Sequence, residues 1–219
     1  KNPFSWSFDH AIAHSLTDQV HEVDRNLELL KPFGTLAKLK PKLQVSRATF
    51  ASIEKYKATP YITVAPASVW KTKQFPVHKW IAFIEAIESQ LTIYIIGGPD
   101  DKKLGNEIQQ QTHSGVVNLC GTLNLLQSAA LMEGALMNYM NDSAPMHLAS
   151  AMNAPTTAIF CSTIPAFGFG PLADDRTVIE NSQKLTCRPC GIHGSKDCPE
   201  KHFDCAEKIP VKSLLARLP

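Results

Sequence analysis

Residues 135–160 read ALMNYMNDSAPMHLASAMNAPTTAIF, and this stretch decides the fold. ALMNYM (135–140) is an apolar run of strand length that stops at a polar elbow, Asn141-Asp142-Ser143. Pro145 then opens a short helix over 145–152, because proline fits a first helical turn, where its missing N–H costs nothing. TTAIF (156–160) is a β-branched and apolar run, a second strand. Strand, helix and strand in this order make a parallel unit whose helical crossover links neighbouring strands.

The alternation extends upstream. YITVA (61–65) is a strand, and PVHKWIAFIEAIESQ (76–90) a helix with Trp80, Phe83, Ile84 and Ile87 on one face. LTIYIIGG (91–98) is a near-continuous apolar run closed by glycines, as in a strand covered on both faces. DDKKLGNEIQQQ is a polar helix, VVNLC (116–120) a strand and LNLLQSAALMEG (123–134) an amphipathic helix. Five strands separated by helices predict an α/β fold with a Rossmann-like, doubly wound parallel sheet. Further upstream, HSLTDQVHEVDRNLELLKPFG (14–34) predicts a helix capped by Thr17 or Asp18 and stopped by Gly34. LAKLKPKLQVSRATFAS (36–52) reads as a connector, and residues 206–219 as a closing helix.

The chain has 219 residues, 44% apolar and 19% charged, enough to bury a core in one large domain or one domain plus part of another. Its formal charge of +2 comes without a block of Lys or Arg, so no nucleic-acid partner is expected. No apolar run reaches the ~18–20 residues of a membrane span. The opening KNPFSWSFDH lacks the order of a signal peptide and an initiator Met, which suggests a fragment or a trimmed chain. Nothing in the cysteine usage demands an oxidising compartment, so the cytoplasm is the default expectation.

In a doubly wound sheet, ligands bind at the carboxyl ends of the strands. Three elbows fall there: Pro66 to Lys73, Gly97-Gly98-Pro99-Asp100-Asp101, and Asn141 to His147. The backbone N–H groups at the helix start near Pro145 suit a phosphate, with Ser143 and His147 as further donors. Asp and Ser are equally ordinary capping residues. Lys73 offers a point charge to a phosphate, or is simply a solvated loop lysine. Gly97 and Gly98 permit close approach of a ligand, and Asp100 or Asp101 can hold ribose hydroxyls; the same residues also make a tight turn. No G-x-G-x-x-G, P-loop or G-x-S-x-G elbow is present.

Four cysteines crowd the end of the chain as Cys187-x2-Cys190-x7-Cys198-x6-Cys205. The set suits a structural zinc ion, with His193 or His202 as substitute ligands, but disulfides or reduced thiols remain open. Cys120 and Cys161 each close an apolar run and read as small buried hydrophobes.

In order, these motifs resemble glycosyltransferase family 9, the lipopolysaccharide heptosyltransferases. The family runs through a Pro-Gly-Ala-like loop ending Lys-Arg-Trp-Pro, then Gly-Gly-Pro with acids, Asn-Leu-x-Gly, Asn-Asp-Ser-Gly-Pro-Met-His-Leu-Ala and Cys-x-Pro-Cys. This chain has Ala65-Pro66-Ala67-Ser68 and Lys73-Gln74-Phe75-Pro76, Gly97 through Asp101, and Asn118-Leu119-Cys120-Gly121. It continues with Asn141 through Ala149 and Cys187-Arg188-Pro189-Cys190, while His21 to Arg25 is similar to the family's linker.

The resemblance implies the donor-binding, C-terminal domain of a GT-B fold preceded by a truncated N-terminal domain. It implies inverting transfer of heptose from ADP-heptose to a lipid A–core acceptor, at the inner face of the inner membrane, with no catalytic cofactor. Ser68 and Lys73 would contact the donor diphosphate, Asp100 or Asp101 the ribose, and Asp142 the heptose or its phosphate end. Ser143, the Ala144 backbone and His147 would grip the phosphates. Ala144 stands where the family has Gly, Ala67 likewise, and Gln74-Phe75 replaces Arg-Trp. The family's catalytic base belongs to the N-terminal domain, so no residue here is assigned that role.

The expected organisation is 1–47 as the end of the acceptor domain and linker, 48–186 as the donor domain, 187–205 as the cysteine loop and 206–219 as the closing helix. Alternatives are a GT-B transferase using another nucleotide sugar, a non-catalytic nucleotide-sugar-binding or assembly module, or a zinc-stapled interaction domain whose elbows are only helix caps.

Overall fold

The computed structural model describes residues 3–12, 19–34, 37, 39–87, 91–113 and 115–218. The chain divides into two compact units, Lys1–Lys40 with Ile164–Gly170, and Pro41–Thr163 with Pro171–Pro219.

In the smaller unit, α1 spans Glu22–Glu28 and is capped by His21, whose Nδ1 accepts the Val23 N–H at 3.2 Å. The helix expected over 14–34 therefore begins later, because His21 is already extended at ψ 145°. Thr17 and Asp18, its expected caps, lie outside the described residues. The Glu22 N–H donates to the Gly168 carbonyl at 2.8 Å. Arg25, only 7% exposed, donates to Glu22 at 2.6 Å and to the Phe167 carbonyl at 3.2 Å. These bonds tie 164–170 back onto α1.

The larger unit begins with α2 (Arg47–Ser52), capped by Ser46 Oγ, which accepts the Thr49 N–H at 3.2 Å. The connector reading of 36–52 missed it, since six residues carry too few turns to show a periodicity. The strands are β1 (Tyr61–Ala65), β2 (Thr92–Ile95), β3 (Val116–Asn118), β4 (Asn138–Asn141), β5 (Thr156–Phe160) and β6 (Arg176–Glu180). All pair in parallel in the order β3-β2-β1-β4-β5-β6. The sheet thus has six strands where five were expected. β6 sits at the edge with only Ile179 buried, so it shows none of the apolar run that marks its neighbours.

The remaining helices are α3 (Val77–Glu85), α4 (Lys102–Gln110), α5 (Leu125–Glu133), α6 (Ala144–Ala151), α7 (Asp204–Glu207) and α8 (Val211–Leu215). The expected closing helix is thus two short ones, parted at Pro210, the N-cap of α8. On one face of the sheet, Trp80, Phe83 and Ile84 of α3, Ile108 of α4 and Leu214 of α8 cover Ile62, Val64, Ile95 and Tyr139. On the other, Leu131 and Met132 of α5 and Met146 and Ala149 of α6 cover Tyr61, Tyr94, Met140 and Phe160. Residues one apart along β1 enter opposite cores, as pleating requires. Cys120 and Cys161 are buried at 2% and 0% exposure, as their apolar settings predicted. Among the described residues no helix is long and apolar enough to cross a membrane.

Candidate functional site

β1 stands at the centre of the sheet; the chain moves outward through β2 and β3, then returns to place β4 on the other side of β1. That reversal makes the β1/β4 boundary the switch point, where the loops leaving adjacent strands diverge and open a crevice. The β1 loop and the β4 elbow meet there.

Asn141, fully buried at the end of β4, joins them. Its Nδ2 donates to the Pro66 carbonyl at 2.6 Å and its Oδ1 accepts the Phe75 N–H at 2.9 Å. Phe75 is itself a core residue, its ring set edge-on to Trp80 with centroids 5.3 Å apart. Ser68 Oγ donates to the Asp142 carbonyl at 3.4 Å, and Gln74 Nε2 holds the Ser68 carbonyl at 2.7 Å. Lys73 Nζ reaches Asp142 Oδ2 at 2.8 Å, with the two side chains 15% and 9% exposed. The same Oδ2 accepts Thr163 Oγ1 at 2.6 Å. An ion pair this sheltered is held in direction more firmly than one on the open surface, because water screens it less.

Beside this pair α6 begins. Ser143 is its N-cap, yet the side chain makes no capping bond, and Ser143 Oγ is a buried polar atom without a partner among the described residues. Ala144 is the first helical residue and exposed, so its backbone is right-handed and a methyl in place of glycine introduces no strain there. Pro145 removes one of the four N–H groups that a helix start leaves without intrahelical partners. His147 lies exposed in the same first turn. A half-buried lysine, an unpaired hydroxyl and a positive helix end side by side can stabilise a diphosphate.

The β2 elbow stands one strand over. Asp101 Oδ2 accepts the Gly98 N–H at 2.8 Å and closes the turn, while Asp100 is exposed on a shallow groove with Lys103, Asn106 and Glu107. Gly121, ending the Asn-Leu-x-Gly motif, has φ +71°, and a Cβ there would lie 2.9 Å from Pro99 Cα. Glycine is needed so that the β3 elbow can nest against the β2 elbow. The structure thus brings Ser68, Lys73, Asp142 and Ser143 together and leaves the acidic pair on the neighbouring elbow. Thr163 was missed as a site residue, and Asn141, inside the expected elbow, was given no role; applying the strand-end rule to β5 as well would have flagged Thr163.

The four late cysteines and His202 line one pocket together with Ser195, whereas His193 does not line it. Cys187 Sγ is 3.9 Å from His202 Nε2, and Cys190 Sγ donates to the Cys187 carbonyl at 3.3 Å. Burial, reinforced by the neighbouring thiols, pushes Cys205 up to about 12 and raises Cys190 as well. Sulfur and imidazole donors fit a thiophilic ion in kind. Among the described residues, however, no group of three or more His, Cys, Asp or Glu side chains is gathered so that it could hold one.

Residues 3–202 match the model of glycosyltransferase family 9 (heptosyltransferase). Among curated proteins, the chain is 31% identical over 164 residues to lipooligosaccharide heptosyltransferase 2 of Haemophilus influenzae, covering 70% of this chain and 46% of that protein. It is 30% identical over 107 residues to lipopolysaccharide heptosyltransferase 3 of Escherichia coli, covering 47% of this chain and 32% of that one. Among solved structures, it superposes on E. coli ADP-heptose LPS heptosyltransferase II with a TM-score of 0.63 at 24% identity, over 84% of this chain and 55% of the other. A family 9 glycosyltransferase from Veillonella parvula gives 0.70 at 17% identity, over 78% and 51%. The chain spans less than half the length of the curated relatives it matches. With the family model covering residues 3–202 and two of the motif-bearing elbows, those after β1 and β4, meeting at the switch-point crevice, the chain belongs to glycosyltransferase family 9.

Proposed function

We propose that this chain supplies the donor side of an inverting glycosyltransferase that moves heptose from ADP-heptose to a lipid-linked lipid A–core acceptor. The observation that carries the reading is the Lys73–Asp142 pair, 2.8 Å apart, beside the start of α6 and the unpaired Ser143 hydroxyl. The names of the relatives support the sugar: they are heptosyltransferases of lipooligosaccharide and lipopolysaccharide. One structural neighbour, an E. coli heptosyltransferase, was solved with ADP.

Departure of the nucleoside diphosphate concentrates negative charge on its phosphate oxygens. Lys73, the Ser143 hydroxyl, the first-turn N–H groups of α6 and His147 would stabilise that charge without a divalent cation. Asp142 would face the sugar end, held by Thr163, and the ribose would lie toward Asp100 and Asp101. The acceptor hydroxyl needs a base to take its proton. By the family resemblance that base belongs to the N-terminal domain, and the acceptor would be met at the inner face of the inner membrane.

The test is calorimetric titration of the 219-residue chain with ADP, ADP-heptose and UDP. Binding of both adenine nucleotides, with weak or absent UDP binding and no sugar transfer by this chain alone, is the expected result. Preference for UDP would change the donor, and a folded chain that binds none of them would return the elbows to plain helix caps.

The cysteine loop stands as a proposed structural-metal site on its donor types. An ion would have to draw the thiols inward, as metal binding and local folding are commonly coupled. Elemental analysis of protein purified under reducing conditions is expected to find about one thiophilic ion per chain, reduced in a Cys187→Ser/Cys190→Ser variant. A metal-free preparation with a full thiol titre and an unchanged melt would remove the proposal.

A further inference from the structure

The loop from Cys187 to Cys205 bonds to residues on both sides of the charged pair. On the lysine side it grips Thr72, the residue before Lys73 and only 2% exposed. The Thr72 N–H donates to the Ser195 carbonyl at 3.1 Å, and the Ser195 N–H donates to Thr72 Oγ1 at 2.7 Å. Thr72 Oγ1 also donates to the Ser195 carbonyl at 3.0 Å and accepts Ser162 Oγ at 3.1 Å. One hydroxyl proton and two lone pairs are thereby all used. Gly194, at φ +81°, lets the loop come this close: a Cβ there would lie 3.0 Å from both Lys73 Cγ and Thr72 Oγ1.

On the aspartate side the grip passes through Arg188. Its Nη2 donates to the Phe160 carbonyl at 3.2 Å, the Thr163 carbonyl at 2.7 Å and Glu180 at 2.7 Å. Thr163 in turn donates its hydroxyl to Asp142 at 2.6 Å. Between the two grips, the Cys190 N–H donates to the Ser162 carbonyl at 2.9 Å.

We propose that the 187–205 loop is a clamp that sets the placement of Lys73 and Asp142, with Thr72 and Thr163 as positioning residues. Donor affinity then depends on the loop's fold. The inference rests on the reading of Lys73 and Asp142 as part of the donor site. Ser195 also lines the thiol pocket, so a change of that pocket's shape reaches Lys73 through a single residue and its bonds to Thr72.

The test is ADP titration of the chain beside Thr72→Val, which keeps the shape and removes the hydroxyl, and Thr72→Ser, which restores it. Ile93→Val, in the core at the far end of β2, serves as a control for simple loss of stability. Thr72→Val is expected to raise the ADP dissociation constant about tenfold, because Ser195 and Ser162 lose their shared partner; Thr72→Ser should stay within about twofold of the parent. Ile93→Val should lower the melting temperature and leave the dissociation constant unchanged. Parental affinity in a folded Thr72→Val protein would overturn the clamp, as would an equal loss in Ile93→Val. If Thr72→Val melts below the titration temperature, Gly194→Ala carries the same test with the same expected loss. A parent chain that binds no ADP fails the donor reading itself, and the clamp falls with it.

Discussion

Lys73→Ala is expected to raise the dissociation constant for ADP-heptose about a hundredfold, since a charged, sheltered donor to phosphate is lost. It should also destabilise the chain by about 3 kcal/mol, because Asp142 is left as a buried carboxylate with one partner fewer. The two effects separate in a double variant. Lys73→Met/Asp142→Leu removes both charges from a site where the side chains are 15% and 9% exposed, so most of the stability should return. Binding should not. Thermal melts and titrations on the single and double variants decide the matter, and near-parental affinity in Lys73→Ala would take the lysine out of the donor site.

Asn141→Leu is expected to have the next largest effect. The amide bridges two loops, and leucine would leave the Pro66 carbonyl and the Phe75 N–H unpaired in a place closed to water. A loss of about 3 kcal/mol follows, a fall in melting temperature of roughly 6–12 °C for a chain of this size. Asn138→Leu provides the comparison. Asn138 is also fully buried, accepting Thr63 Oγ1 at 2.6 Å and donating to the carbonyls of Met132 and Pro155, but it lies at the opposite end of the same strand. Both variants should be destabilised to a similar degree, and only Asn141→Leu should weaken ADP binding, because only that amide holds the crevice loops. Equal binding losses would mean that general softening of the sheet, rather than loop placement, governs the site.

Much of this architecture can be read from the residues in order. A strand buried on both faces must be apolar nearly throughout, so YITVA and TTAIF announce themselves, and the polar elbows mark where each strand leaves the sheet. The family pattern concentrates in those elbows because backbone turns and phosphate contacts both restrict residue type. Boundaries were less legible. The run read as 135–140 forms a strand only over Asn138–Asn141, since pairing with β1 and β5, rather than hydropathy, decides where a short central strand begins. β6 was invisible because an edge strand with one buried residue carries no apolar signal.

What the chain's order determined by itself was local: which segments can be strands or helices, where helices start, and which residues have the chemistry to meet a diphosphate. Only the tertiary structure decided which of them meet. Lys73 and Asp142 are far apart in sequence and 2.8 Å apart in space, because β1 and β4 are neighbours in the sheet. The same adjacency places Asn141 between two loops. Thr72 finds Ser195 because the cysteine loop folds back over the strand ends. Such pairings depend on strand order, and strand order is set by the packing of helices on both faces of the sheet, a property of the whole chain that no single segment contains.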